Sequence, residues 1–390
     1  MSVEITTDNT MQKPMEEFVT EKPATEEIVQ KKDDIPLKPL IVYDSKNRFA
    51  LLDNARGLVM LLLSFAVVMY PFDVMPYFFG HVGYNTNGIG FADFGVTAFV
   101  FILCMMMSYN FRRDLAKKGA KAIIKTYIVR SVALVGASFI IGYFQNLGDS
   151  SVAWGILATY GVASLLLLPF MPIKKPEIRF GIGLGILFLY QIVVTATWPA
   201  FNNFVLGHGD GGFVGVISYL GLMLICTSLG ELYFNNKKRF YILSIIISGL
   251  ALLLFILNVS IGPIGQDAWK TGTFISYIFM SKPRQSMAYM IISLAVVMGF
   301  FILADRWKYL REKQVPILGA IGKNALLFFV AGGLLRIVAY NLVGMGIEGD
   351  IRNVVGAQGV WLMIACLAIV IIPLIAMAYL FQRFKVRLSF

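Results

Sequence analysis

Runs of about 20 predominantly apolar residues, each long enough to cross a hydrocarbon layer as a helix, recur from residue 50 to residue 381 of this 390-residue chain. In water, so many runs would leave apolar surface that nothing could cover. In lipid, each run satisfies its own backbone hydrogen bonds and meets a solvent as apolar as itself. The chain therefore reads as all-α, a polytopic membrane bundle, and a soluble globular enzyme is excluded. Its composition agrees, with 57% hydrophobic and 15% charged residues, against about 45–50% and about 25% in an ordinary soluble domain. The runs are continuous rather than alternating, which excludes a β-barrel.

Scanning for runs bounded by polar, Gly or Pro clusters gives ten spans, near 50–70, 93–110, 127–146, 152–171, 179–198, 213–234, 240–261, 286–304, 316–342 and 359–381. Short connections make them one bundle. Orientation follows from Lys and Arg, because short basic loops stay cytoplasmic. With the amino terminus inside, the inner segments hold 21 basic residues and the outer ones four, Lys270, Lys282, Arg284 and Arg352. About ten helices with both termini cytoplasmic are expected, in a plasma membrane.

Residues 1–44 are set apart as a disordered acidic cytoplasmic tail, rich in Pro and lacking an apolar run, from a membrane domain at 45–390. The tail holds ten acidic residues and five Lys, so the formal charge of +11 conceals +16 on the membrane domain. Topogenic loops account for that basicity, and no nucleic acid is expected as a partner. No apolar region with a cleavage site precedes residue 50, so the first span is expected to act as the insertion signal. Cys104, Cys226 and Cys366 lie in apolar spans with no mutual spacing, which suggests neither a disulfide framework nor a zinc site.

Four basic residues fall inside spans: Arg56, Arg130, Lys323 and Arg336. Each costs on the order of 2.5–3.5 kcal/mol at a helix centre, less near an end. Arg130 and Arg336 lie near helix ends and are expected to snorkel. Arg56 and Lys323 lie about two turns deep and need partners or a wet cavity. Asp53 is three residues before Arg56, on the same helix face, so the two can pair.

The two histidines, His81 and His208, fall in outward loops under this topology. Around His81 the loop carries Asp73, Tyr84, Asn85 and Asn87 and no basic residue. A neutral imidazole oriented by a carboxylate is the usual general base near pH 7, and Asp93 is a candidate orienting group. His208 sits among glycines in a flexible connection, and no metal site is expected.

The stretch Arg48-Phe49-Ala50-Leu51-Leu52-Asp53-Asn54-Ala55-Arg56-Gly57 resembles the R-x-x-x-L-D-x-x-R-G opening of the heparan-α-glucosaminide N-acetyltransferase family. His81, Tyr84, Asn87-Gly88, Ala92-Asp93 and Phe99-Val100-Phe101-Ile102 follow in the family's order, and residues 316–326 resemble its P-L-x-x-I-G-x-N-x-L segment. The chain departs from the family where Tyr70 replaces a common Asn and where Ala158-Thr159 replaces Gln-Arg. The resemblance implies an integral-membrane acyltransferase that uses cytosolic acetyl-CoA and no metal to acetylate an extracytoplasmic amino sugar, polysaccharide or glycolipid. On the same ground His81 would be the catalytic base or acyl carrier, supported by Asp93, with Asp53, Arg56, Asn87, Lys323 and Asn324 binding donor or acceptor. The expected partners are the bilayer, acyl-CoA and a glycan, and a homodimer is left open. The alternatives are a transporter or flippase for a sugar or lipid-linked substrate, and a non-catalytic homologue.

Overall fold

The computed structural model describes residues 50–69, 72, 88–145, 154–196, 212–261, 280–282, 284–343 and 357–384. These form helices α1 (Ala50–Met69), α2 (Phe91–Gln145), α3 (Ile156–Leu167, extended by a 3-10 turn, Leu168–Phe170), α4 (Pro176–Ala196) and α5 (Gly215–Asn235). They continue with α6 (Lys237–Ile261), α7 (Met287–Arg306), the short α8 (Lys308–Glu312), α9 (Pro316–Lys323), α10 (Ala325–Leu342) and α11 (Ala357–Arg383). Among the described residues there is no strand, and eight helices are long and apolar enough to cross a membrane.

Eight helices and ten expected spans differ for identifiable reasons. Spans two and three are the two arms of α2, which is interrupted at Gly119 with φ 77° and ψ 167°. Phe111 and Tyr127 are 16 residues apart, about 24 Å along a straight helix, yet their rings lie 6.2 Å apart. The chain therefore doubles back at Gly119, whose left-handed φ favours glycine, and α2 is an antiparallel hairpin. The fourth span is α3 with its 3-10 turn, shorter than expected. The ninth is split at Asn324, whose φ of −121° and ψ of 32° separate α9 from α10.

Helix α5 is buried at every residue from Gly215 to Phe234 except Ile217, and forms the bundle's centre. Peripheral helices are apolar outward as well: Ile245 and Leu252 on α6 and Ile372 on α11 are at least 60% exposed. That pattern suits lipid, where an exposed Ile is not penalised. Small residues let backbones approach. A Cβ on Gly183 of α4 would meet the Gly221 carbonyl of α5 at 2.7 Å, and one on Gly230 would meet the Met105 backbone of α2 at 2.6 Å.

Candidate active site

The helices alternate in direction, so their ends fall into two groups. One holds the start of α1, Gly119, the α5–α6 junction and α8, and is called the Gly119 end. The other holds the start of α2, the start of α3 and the segment before α7, and is called the Asp93 end.

At the Gly119 end, α1 and α9 are in backbone contact. A Cβ on Gly57 would lie 2.0 Å from the Leu318 carbonyl oxygen, and one on Gly322 would lie 1.9 Å from that of Asp53. Around this crossing Asn54 donates to the carbonyls of Leu310 (3.1 Å) and Lys313 (2.9 Å) and accepts from the Val315 N–H (2.9 Å). Gln314 bridges two charges, donating to Asp53 Oδ2 at 3.3 Å and accepting from Lys323 Nζ at 2.8 Å. Arg56 Nη1 lies 3.9 Å from Asp53 Oδ1. Asn324 donates to the Ala320 carbonyl one turn back, at 3.0 Å. The structure thus brings Asp53, Arg56, Lys323 and Asn324 to one crossing, although more than 260 residues separate the two halves. Gln314 is the hinge of this network and was not anticipated.

The same end of the bundle holds a buried ionic cluster that sequence reasoning missed. Glu231 on α5 receives Arg179 from α4 and, at 2.7 Å, Arg112 from α2. Arg179 is fully buried and also lies 3.5 Å from Ser108 Oγ. Both arginines looked like topogenic charges. On the exposed α8, Arg311 donates to Glu312 at 2.9 Å and holds that carboxyl below the usual range.

At the Asp93 end, the structure holds an open cavity of about 260 Å³ lined by α1, both arms of α2, the start of α3 and α10. Its walls are mostly apolar, including Leu63, Phe99, Ile141 and Phe329, with Ser64, Ser138, Tyr160, Lys282 and Arg336 as polar groups. Lys282 Nζ lies 3.8 Å from Asp93 Oδ1. Asp93 is itself fully buried; its Oδ2 accepts from the Gly90 N–H at 2.8 Å, and its carbonyl accepts from Tyr289 Oη at 2.8 Å. Arg336, expected to snorkel, instead lines the cavity and sits over Tyr340, 5.9 Å from the ring centre. Arg130 is exposed, as its end position suggested. Gly155, Ile156 and Leu157 line the cavity, while the next two residues, Ala158 and Thr159, are fully buried, and Thr159 accepts from Trp154 Nε1 at 2.7 Å. His81, Asn87, Tyr84 and His208 lie outside the described residues. Among the described residues no His/Cys/Asp/Glu group could hold a metal ion.

The crossing and the cavity are about 12 Å apart along α1, from Arg56 to Ser64 at 1.5 Å per residue. They are two stations on one helix, with the hairpin packed beside both.

Residues 48–260 match the model of the heparan-alpha-glucosaminide N-acetyltransferase family, catalytic region. The chain belongs to this family. It is therefore a member of a family of transmembrane acetyltransferases. The matched segment is more than half of the chain and supplies the hairpin, α1 and α3, hence most of the cavity wall. It stops before α9 and α10, so the likeness of residues 316–326 rests on their own motif. No curated protein matches the chain.

Proposed function

We propose that the protein transfers an acetyl or related acyl group from cytosolic acyl-CoA to an extracytoplasmic amino sugar, polysaccharide or glycolipid. Family membership, over the segment that walls the cavity, carries this reading. The Gly119 end faces the cytoplasm, in keeping with the excess of Lys and Arg in the segments there. The crossing of α1 and α9 lies on the donor's path, where Arg56 and Lys323 attract an anionic nucleotide. The acyl group is presented toward the cavity at the Asp93 end.

The chemistry needed there is simple in its balance. An acceptor amine attacks the thioester carbonyl, the new C–N bond forms, the C–S bond breaks, and the amine proton passes to a base while CoA leaves as thiolate. His81 is the base, or carries the acyl group transiently, at the outer face. Asn87 binds the acceptor. Asp93 supports the site as a buried carboxylate already engaged by Lys282 and by its own helix start. The apolar wall excludes water, which would otherwise compete for the acyl group.

The test uses full-length protein in detergent with radiolabelled acetyl-CoA and a panel of amino sugars, comparing wild type with His81→Ala. The expected result is transfer by wild type and a loss of at least about 100-fold in the variant. Transfer at the wild-type rate in His81→Ala refutes the histidine's role. Absence of acetyl-CoA binding, with sugar uptake into proteoliposomes, replaces the reading with transport.

A further inference from the structure

Two cations line the cavity at the Asp93 end, and their surroundings differ. Lys282 has the Asp93 carboxylate at 3.8 Å. Arg336 has no counter-charge among the described residues, and its Nε is buried without a hydrogen-bond partner. Beside it stands the Tyr340 ring, its centre 5.9 Å from the guanidinium carbon. That ring is fixed in turn, because the Tyr340 hydroxyl reaches the carbonyls of Val67 and Val68 at the end of α1, at 3.2 and 3.1 Å. It flanks the guanidinium on one side and stabilises it only weakly.

The direction of α10 decides which way the cation leans. The helix starts with Ala325 toward the Gly119 end and finishes with Leu342 toward the Asp93 end. Helical Cα–Cβ bonds tilt toward the helix start, so the Arg336 side chain covers the preceding turn and leans back toward the donor side. Snorkelling to the outer interface would need the opposite direction. Gly332 and Gly333, four and three residues earlier on that face, put no side chain in the way, and both line the cavity with Arg336. The walls around this space are apolar, among them Leu63, Phe99, Ile141 and Phe329.

A cation held without a partner among apolar walls is costly at rest. It stabilises strongly any negative charge that forms beside it, because it is already in place and little screens it. Acyl transfer forms such a charge. As the acceptor nitrogen attacks the thioester carbon, the C–N bond forms and the carbonyl π pair moves onto oxygen. When that pair returns, the C–S bond breaks, CoA leaves as thiolate, and the amine proton has passed to the base. The oxygen is an anion only between these two events.

We propose that Arg336 is a catalytic residue, whose guanidinium donates to the thioester carbonyl oxygen as it becomes the oxyanion of the tetrahedral intermediate. The assignment rests on the acyl-transfer reading above: His81 handles the proton and Arg336 the charge. Lys282, paired with Asp93, supplies no comparable net charge.

Kinetics separate this role from substrate binding. Full-length protein in detergent receives acetyl-CoA and glucosamine, an acceptor without an acidic group. The kcat and both KM values are measured for wild type, Arg336→Gln, Arg336→Ala and Arg336→Lys, each checked by thermal unfolding. The expected result for Arg336→Gln is a kcat lower by about 100-fold or more, as for loss of one oxyanion donor, with both KM values within about twofold of wild type. Added guanidinium chloride should raise the kcat of Arg336→Ala and leave wild type unchanged, a rescue that a merely structural arginine would not show. If the Gln and Ala variants do not fold, Arg336→Lys carries the test. Its kcat should fall about tenfold at unchanged KM, because an ammonium does not reproduce the planar fork, and a wild-type kcat there overturns the role. A raised KM with unchanged kcat in Arg336→Gln makes the arginine a binding group and overturns the oxyanion role, as does a wild-type kcat; either leaves acyl transfer standing. A wild type that transfers no acetyl group refutes the acyl-transfer reading, and the role of Arg336 with it.

Discussion

Replacing Gly57 by Ala tests how far the α1–α9 crossing holds the Gly119 end together. The added Cβ would lie 2.0 Å from the Leu318 carbonyl oxygen, whereas real Cβ contacts essentially never fall under 3.0 Å. The obstacle is backbone, so no rotamer change relieves it, and α9 must retreat by about 1 Å. That retreat stretches the Asn54 bonds to 310, 313 and 315 and the Gln314 bridge between Asp53 and Lys323. Overpacking a tight site costs about 1–3 kcal/mol, and weakening several hydrogen bonds of about 1 kcal/mol each adds to it, so a loss of about 3 kcal/mol is expected. The control is Gly249→Ala on α6, where a Cβ meets nothing within 4 Å; its effect should stay within about 0.5 kcal/mol. Thermal unfolding of both variants in one detergent gives the comparison, and hydrogen exchange across 308–323 locates it. Equal stability of Gly57→Ala and wild type would refute the backbone-contact reasoning.

Two further outcomes follow from described contacts, and a third from the charge-based orientation. Glu231→Gln leaves Arg112 and Arg179 facing each other without a counter-charge, and should destabilise by about 3–5 kcal/mol in thermal unfolding. Asn54→Ala removes three bonds to the segment after α8; it should speed amide exchange at Val315 and cost about 2 kcal/mol, while leaving exchange in α5 unchanged. For orientation, a cysteine in place of His81 in an otherwise cysteine-free protein should react with an impermeant thiol reagent from outside intact cells, and labelling confined to inverted vesicles would reverse the assigned faces.

Hydropathy located every described span to within several residues, because insertion into lipid is a local property of about 20 residues. It could not see that 93–110 and 127–146 form one hairpin, since helical propensity continues through the polar turn and only Gly119 breaks it. Nor could it see the split at Asn324, where a polar residue inside an apolar run ends one helix and starts another. Asp53 and Arg56 were legible as a pair because three residues put them on one face. Glu231 was not, because its partners lie 119 and 52 residues away and counted as topogenic charge. Lys282 shows the same limit: a loop cation by sequence, it lines the cavity next to Asp93.

The α1–α9 crossing also says how this chain can be divided. The matched family region ends at residue 260, yet α1, inside that region, lies against α9 backbone to backbone, and α10 supplies Phe329 and Arg336 to the cavity. A protein truncated at 260 would keep the family signature and lose one wall of the cavity and the clasp at the Gly119 end. The boundary of sequence likeness is thus no seam in the fold, and the carboxy-terminal third must be inherited, expressed and exchanged together with the part that carries the signature.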